Sequence, residues 1–184
     1  MFPAVFLDRD GVLIENRSDY IRDWSHVRIF PQALRALATL KAQSCKIIVV
    51  TNQSAVGRGL VSIDIVQEIN NKLVKISDEM GGKIDKIYTC PHTPEDGCEC
   101  RKPKPGLLLQ AAQELSIDLQ RSWMIGDAWS DLLAGQAAGV QGVVLLKTGR
   151  GAEQLLQSQP ENLADYFVFN DLSDAISSIR TLIV

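Results

Sequence analysis

The chain has 184 residues, a formal net charge of −3 and 46% hydrophobic residues. This composition indicates enough apolar material for a core, and it shows no polybasic signature of a nucleic-acid-binding protein. The longest apolar runs, such as residues 47–50 and 142–146, are far too short to cross a bilayer. The first residues lack the basic start and the cleavage site of a signal peptide, so we expect a cytoplasmic protein.

Short β-branched runs alternate with longer amphipathic segments along the chain. We predict strands at 4–7, 46–51, 84–89, 122–125, 142–146 and 165–169, and helices at 31–41, 62–80, 105–115, 130–138 and 172–181. Four of these strands have centres that are apolar throughout, which is typical of strands buried on both faces of a parallel sheet. The alternation therefore predicts an α/β fold with a doubly wound, Rossmann-like parallel sheet, and we expect residues 1–184 to form a single domain.

Acidic, hydroxyl and amide side chains follow three of the predicted strands. In open α/β sheets, ligands bind beyond the carboxyl ends of the strands, so we expect these side chains to converge on one crevice. An Asp-x-Asp pair alone would be a weak signal, but three such strand ends together with RKPKPG at 101–106 make a strong one. The residues concerned are Asp8, Asp10, Thr51, Asn52, Asp127 and Asp131.

Four short motifs, DRDG, VVTNQ, RKPKPG and GDAWSD, resemble in order the four motifs of the haloacid dehalogenase-like (HAD) phosphatases. The resemblance covers residues 4–146. The stretches TNQSAVGRG and CPHTPEDGCECRKPKPG, with no room for a cap domain, narrow it to the D-glycero-D-manno-heptose 1,7-bisphosphate phosphatases and the related histidinol-phosphate phosphatases. This resemblance implies a HAD fold without a cap and a Mg²⁺-dependent phosphatase that forms an aspartyl-phosphate.

The resemblance assigns roles to four catalytic residues. Asp8 would be the nucleophile that attacks phosphorus, and Asp10 would be the general acid and base. Thr51 would donate its hydroxyl to the transferring phosphoryl group. Lys102 would supply the cation, because it matches the lysine of the family's lysine–proline–x–proline pattern, whereas Lys104 occupies the variable position.

A magnesium ion is expected because several carboxylates crowd around the substrate phosphate and would repel one another without a cation. The implied protein ligands are the carboxylates of Asp8 and Asp127 and the main-chain carbonyl of Asp10. Asp131 would support the metal from outside or through water. The alternative for Asp131 is a purely structural partner of a helix N-terminus.

Three of the four cysteines fall within eleven residues, in the pattern C-x-H, five residues, C-x-C. In a reducing compartment such clustering points to a metal more than to disulfides. Cys90, His92, Cys98 and Cys100 satisfy a closed tetrahedral Zn²⁺ site, so we predict a structural zinc that folds the loop at about 90–100. The alternative is a set of free thiols with a coincidental histidine.

An open site without a cap would be shaped by surface loops. Arg58 and Arg101 are the candidates for a distal phosphate, because guanidinium groups match phosphates well, and two of them favour a bisphosphate over a monophosphate. Ala128 is a departure, because the heptose enzymes often carry a lysine at this position. The expected substrate contacts are Asn16, Tyr20, Asn52, Gln53, Ser54, Arg58 and Arg101.

The leading hypothesis is a phosphatase that removes one phosphate of heptose 1,7-bisphosphate and leaves heptose 1-phosphate, for lipopolysaccharide or S-layer sugars. A histidinol-phosphate phosphatase is the alternative, with Glu15 or Asp19 meeting the substrate amine. A nucleic-acid 3′-phosphatase and a catalytically dead zinc-bearing interaction module are weaker alternatives. We expect a monomer whose partner is a small phosphorylated sugar, with no nucleic acid or membrane, and we assign no chemistry to residues 149–184.

Overall fold

In a computed structural model, which describes residues 1–182, six parallel strands form one sheet. The strands are β1 Ala4–Leu7, β2 Lys46–Asn52, β3 Lys86–Cys90, β4 Trp123–Gly126, β5 Gly142–Leu146 and β6 Phe167–Phe169. Their order across the sheet is β3-β2-β1-β4-β5-β6, so the order reverses between the two central strands, β1 and β4. This is the doubly wound arrangement that the alternating sequence pattern predicts, and its ligand crevice lies beyond the carboxyl ends of those central strands.

Helices cover both faces of the sheet. The helices are α1 Pro31–Lys41, α2 Ser54–Gly57, α3 Ile63–Glu79, α4 Gly106–Leu115, α5 Trp129–Ala138, α6 Gly151–Gln154 and α7 Leu172–Ile179. Apolar residues of α1, α3 and α7 pack with one set of alternating strand residues, and those of α4 and α5 pack with the other set. The central strands are therefore buried on both sides, as their continuous apolar runs predict.

The predicted elements differ from the structure mainly at their ends. The third strand begins at Lys86 rather than residue 84, because the Asp85 carboxylate takes the backbone N–H of Ile47 (2.8 Å) just before the ladder begins. The last strand is reduced to Phe167–Phe169. Two four-residue helices, α2 and α6, were not predicted, since one helical turn is too short to show a periodic pattern.

The segments where a cap would be inserted remain small. Between β1 and α1 the chain forms one three-residue 3₁₀ turn at Trp24–His26, and between β2 and β3 it forms only α2 and α3. The crevice beyond the sheet is therefore open to solvent on this side. In the part of the chain that the structure describes, no helix combines the length and apolarity needed to cross a membrane.

Candidate active site

Three buried carboxylates meet where the central strands end. Asp8 follows β1, Asp127 follows β4, and Asp131 lies in the first turn of α5. One oxygen from each lies within 4.8 Å of the others. Because β1 and β4 are adjacent and parallel, the two strand ends carry their acids to the same point. The sheet thus assembles the acidic cluster that the separate motifs predict.

Lys102 is buried among these acids. Its Nζ lies 2.7 Å from Asp8 Oδ1 and 2.6 Å from Asp131 Oδ1, and it donates to the Val50 carbonyl at 2.8 Å. The Asn52 side chain holds the backbone on both sides, since its Nδ2 donates to the Lys102 carbonyl and its Oδ1 accepts from the Lys102 N–H. The lysine is therefore fixed by its backbone as well as by its charge.

The acids carry more negative charge than Lys102 can balance. Burial raises the pKa of Asp8 to about 8; Lys102 opposes this rise, and the neighbouring carboxylates add to it. Burial and Asp131 raise the pKa of Asp127 to about 6. Burial opposes the charge on Lys102, but Asp131 and Asp8 outweigh it and hold the lysine pKa above its usual range. The cluster is therefore a site for an additional cation.

Asp127 has an oxygen ready for such a cation. Its Oδ2 accepts hydrogen bonds from Asn16 Nδ2 (2.5 Å) and the Arg150 backbone N–H (2.8 Å). Its Oδ1 is buried and has no partner within the described residues. A buried carboxylate oxygen without a partner is costly, and carboxylate oxygens are the ligands that Mg²⁺ prefers. The donor set of Asp8 and Asp127 therefore fits a Mg²⁺ ion.

Asp131 has both oxygens occupied by the protein. Oδ1 faces Lys102, and Oδ2 accepts from the backbone N–H groups of Asp127 (3.2 Å) and Ala128 (3.1 Å). The side chain thus caps the start of α5 and orients Lys102. Its predicted support of the metal stays a prediction, and the helix-capping alternative describes what it contacts in this structure.

Two glycines let the backbone close around Asp127. Gly11 has φ +94° and Gly149 has φ +57°, and a Cβ at either position would collide with Asp127 Oδ2. The Thr148 hydroxyl donates to the Gly11 carbonyl at 2.6 Å, which joins the two loops. Both positions therefore need glycine, for conformation as well as for space.

Asp10 is held by a network of donors. Its Oδ2 accepts from Gln53 Nε2 (2.8 Å), Arg9 Nε (3.0 Å) and Thr51 Oγ1 (3.4 Å). Gln53 Nε2 also donates to Thr51 Oγ1 at 2.8 Å. The structure therefore places Thr51 and Gln53 against the predicted acid–base residue. Their predicted contacts with phosphate or substrate stay predictions.

A crevice of about 750 Å³ opens over these groups. Arg101 lines it and is steadied by a bond from Nη1 to the His92 carbonyl (3.1 Å). Tyr20 lines it with φ 64°, a conformation uncommon outside glycine. Arg58 does not line it; its Nη2 lies 3.8 Å from Glu95 Oε2. The predicted site residues in the lining are Asp8, Asp10, Asn16, Tyr20, Asn52, Gln53, Ser54, Arg101, Lys102 and Asp131.

The cysteine loop brings its four predicted ligands together. Cys90 Sγ lies 3.6 Å from Cys98 Sγ and 3.2 Å from Cys100 Sγ, and His92 Nδ1 lies 3.3 Å from Cys100 Sγ. Tetrahedral Zn–S bonds of about 2.3 Å separate two ligand atoms by about 3.7 Å, so small adjustments would suffice. All four ligand atoms lie within 4.8 Å of one another, and they could hold a metal ion.

Sequence reasoning missed three contributors to the site. Arg9, between the two aspartates of DRDG, is buried against Asp10, and Asn70 of α3 supports it. Arg150 lines the crevice, and its backbone N–H donates a hydrogen bond to Asp127 Oδ2. Residues 149–184 therefore supply part of the site, contrary to the expectation that they carry no chemistry. The sequence pattern that could have indicated this contribution is the threonine, glycine and arginine at 148–150, which come soon after a buried strand.

Comparison with known proteins agrees with this geometry. A family model described as HAD-hydrolase-like matches residues 99–175. A D-glycero-β-D-manno-heptose-1,7-bisphosphate 7-phosphatase of Pseudomonas aeruginosa is 37% identical over 95% of this chain and 96% of its own length. The chain belongs to this phosphatase family. The Pasteurella multocida member is 40% identical over 82% of this chain and 84% of its own length.

Solved structures of the family share the fold. The D,D-heptose 1,7-bisphosphate phosphatase of B. bronchiseptica, complexed with magnesium and phosphate, superposes with a TM-score of 0.90. It is 32% identical, and the match covers 98% of this chain and 99% of that one. The family resemblance drawn from four short motifs, and the parallel α/β fold that it implied, are thus confirmed.

Proposed function

We propose that this chain is a Mg²⁺-dependent phosphatase that removes the 7-phosphate of D-glycero-D-manno-heptose 1,7-bisphosphate and leaves heptose 1-phosphate. The observation that carries the proposal is the buried Asp8–Lys102 pair beside an unpartnered oxygen of Asp127. Relatives that cover nearly the whole chain carry this activity in their names. The intact set of acids and lysine also argues against a catalytically dead module.

The first chemical step uses Asp8 and Asp10. An Asp8 oxygen attacks phosphorus, and an aspartyl-phosphate forms as the bond between phosphorus and the sugar oxygen breaks. The leaving sugar oxygen takes a proton from the Asp10 carboxyl group. Lys102 bonds Asp8 Oδ1 and keeps the nucleophile oriented while charge builds up on the phosphoryl oxygens.

The second step restores the enzyme. Asp10, now ionised, takes a proton from a water molecule that attacks the phosphorus of the acyl phosphate. The bond between phosphorus and the Asp8 oxygen breaks, so inorganic phosphate leaves and the Asp8 carboxylate returns. Asp8 and Asp127, with the Asp10 main-chain carbonyl, would hold Mg²⁺, which supplies positive charge to the phosphoryl oxygens.

The distal phosphate would meet arginines on the crevice wall. Arg101 and Arg150 both line the crevice, and Arg150 would supply a cation where Ala128 supplies none. Arg58 is the weaker candidate, because it pairs with Glu95 outside the lining. Asn16 and Tyr20 would face the sugar.

A structural Zn²⁺ at Cys90, His92, Cys98 and Cys100 belongs to the same proposal. The loop at 91–100 contains only a three-residue 3₁₀ turn and has no core of its own, so a metal would supply most of its folding energy. The loop leads directly into Arg101 and Lys102. We further propose a cytoplasmic monomer with no nucleic-acid partner.

The test is phosphate release with Mg²⁺ from a panel of substrates, with Asp8→Asn as the blank. The panel holds both anomers of heptose 1,7-bisphosphate, histidinol phosphate, fructose 1,6-bisphosphate and a 3′-phosphorylated oligonucleotide. We expect a heptose bisphosphate to have the highest kcat/KM by orders of magnitude. Preference for histidinol phosphate would overturn the substrate and not the chemistry. Turnover no higher than the blank on any substrate would overturn the enzyme assignment.

The histidinol-phosphate alternative has less support from the crevice. Neither Glu15 nor Asp19 lines it, and Asp19 is paired with Arg17 at 2.8 Å. Glu153 lines it, however, and could meet an amine. A Glu153→Gln variant that leaves heptose bisphosphate turnover intact would agree with the sugar substrate.

A further inference from the structure

Arg9 is a charged side chain in the protein interior. It is 1% exposed and is among the largest fully buried side chains of the described residues. Removing a guanidinium from water is costly unless its donors are paired. A buried guanidinium at this position therefore needs hydrogen-bond partners, and Asp10 and Asn70 provide them.

The Arg9 guanidinium donates hydrogen bonds to both carboxylate oxygens of Asp10. Nε lies 3.0 Å from Oδ2, and Nη2 lies 3.3 Å from Oδ1. A planar guanidinium in this arrangement restrains the rotation of a carboxylate as well as its position. A lysine has a single donor point and could not restrain both oxygens.

Arg9 is itself held from another part of the fold. Its Nη1 donates to Asn70 Oδ1 at 2.9 Å, and Asn70 Nδ2 reaches Thr89 Oγ1 at 3.3 Å. Asn70 lies on α3 and is 7% exposed, whereas Thr89 lies on β3. A rigid helix and a strand of the sheet thus determine where the guanidinium lies.

We propose that Arg9 is a positioning residue, held by Asn70, that aims the Asp10 carboxyl group at the leaving oxygen. This inference rests on the proposed function, in which Asp10 gives the proton. Oδ2 already accepts from Arg9, Gln53 and Thr51, whereas, among residues 1–182, Oδ1 accepts only from Arg9 Nη2 at the longer distance. Oδ1 is therefore the oxygen that carries the proton to the leaving group.

The test compares leaving groups in the Arg9→Lys variant. Phenyl phosphate needs a proton on its leaving oxygen, whereas 2,4-dinitrophenyl phosphate leaves readily without one. The measured quantity is kcat/KM, because it reports the steps through phosphoryl transfer and excludes the later hydrolysis. General acid catalysis contributes about 10²–10⁴-fold, so we expect R9K to lose about tenfold more on phenyl phosphate than on dinitrophenyl phosphate. Equal losses on the two substrates would overturn the proposal.

A second variant keeps Arg9 in place. Asn70→Ala removes the support of the guanidinium, and Asn71→Ala is its control, because Asn71 is exposed on the same helix. We expect N70A to lose more kcat/KM on phenyl phosphate than on 2,4-dinitrophenyl phosphate, by a smaller factor than R9K. We expect N71A to show no such difference. If R9K does not fold, the comparison of N70A with N71A decides the question, and identical behaviour of the two would overturn the proposal.

A double-variant cycle separates positioning from general damage. If Arg9 acts only through Asp10, R9K causes no further loss on phenyl phosphate in the Asp10→Asn background. A full independent loss in that background would contradict this role.

The outcome does not depend on the sugar assignment. Both aryl phosphates report the chemistry even if heptose bisphosphate proves not to be the substrate. If D10N loses the same factor in kcat/KM on both aryl phosphates, the acid role of Asp10 and this inference are overturned together. If D10N loses more on phenyl phosphate while R9K and N70A lose the same factor on both substrates, this inference alone is overturned.

Discussion

The replacement of Lys102 by methionine tests the centre of the site. Methionine keeps much of the length of lysine and removes the charge, and the side chain that it replaces is 1% exposed. The variant loses the contacts of Nζ with Asp8 Oδ1 (2.7 Å), Asp131 Oδ1 (2.6 Å) and the Val50 carbonyl (2.8 Å). Two buried carboxylates then face each other without a cation.

We expect K102M to have both a lower kcat and a lower free energy of unfolding. Breaking a buried ion pair by removing one partner typically costs about 3–5 kcal/mol of unfolding free energy. Removing one donor that stabilises developing charge costs about 10²–10³-fold in kcat. Lys104→Met is the matched control, because its Nζ contacts the exposed Glu99 carboxylate (2.7 Å), and surface pairs contribute about 0–1 kcal/mol.

The assays are phosphate release with Mg²⁺ and urea unfolding of K102M and K104M. The double variant Asp8→Asn with K102M removes one of the stranded carboxylates, so we expect it to recover stability without recovering activity. Equal losses in K102M and K104M would refute the electrostatic reasoning. A stable K102M with native kcat would refute the role of Lys102 itself.

Three further predictions concern the metals and the backbone. The raised pKa values of Asp8 (about 8) and Asp127 (about 6) mean that, between about pH 4 and pH 8, the folded chain without Mg²⁺ binds more protons than the unfolded chain. Its unfolding free energy should therefore fall as the pH rises from 4 to 8, and Mg²⁺ should restore it at pH 8. A flat thermal-stability profile without Mg²⁺ would contradict this sign. Cys98→Ser should lose bound zinc, measured by elemental analysis, and most activity, whereas Cys45→Ser should keep both, because Cys45 lies outside the cluster. Gly149→Ala forces a Cβ against Asp127 Oδ2, so we expect weaker activation by Mg²⁺ in a titration of activity, and an unchanged titration would refute the steric argument.

The proposed catalytic groups can be predicted from the sequence because each of them sits in a short contiguous motif. Asp8 and Asp10 are two residues apart, and Lys102 lies within RKPKPG. Parallel strands then align their carboxyl ends at one edge of the sheet, so the convergence of separate motifs follows from the strand pattern alone. The cysteine spacing likewise predicts a tetrahedral ligand set within a single loop, and the four ligand atoms do lie together.

The supports of these groups depend on which elements pack together, and one local pattern does not encode that. Arg9 meets Asn70, which lies 61 positions away, only because α3 packs over the first strands. Arg150 reaches Asp127 because the loop after β5 folds over the end of β4. Arg58 has the right chemistry for a phosphate, but it lies outside the lining of the crevice and faces Glu95. The sequence is enough to predict the reacting groups, because their spacing is local. What holds and surrounds these groups depends on the tertiary structure, because buried charges take their partners from whichever elements pack against them.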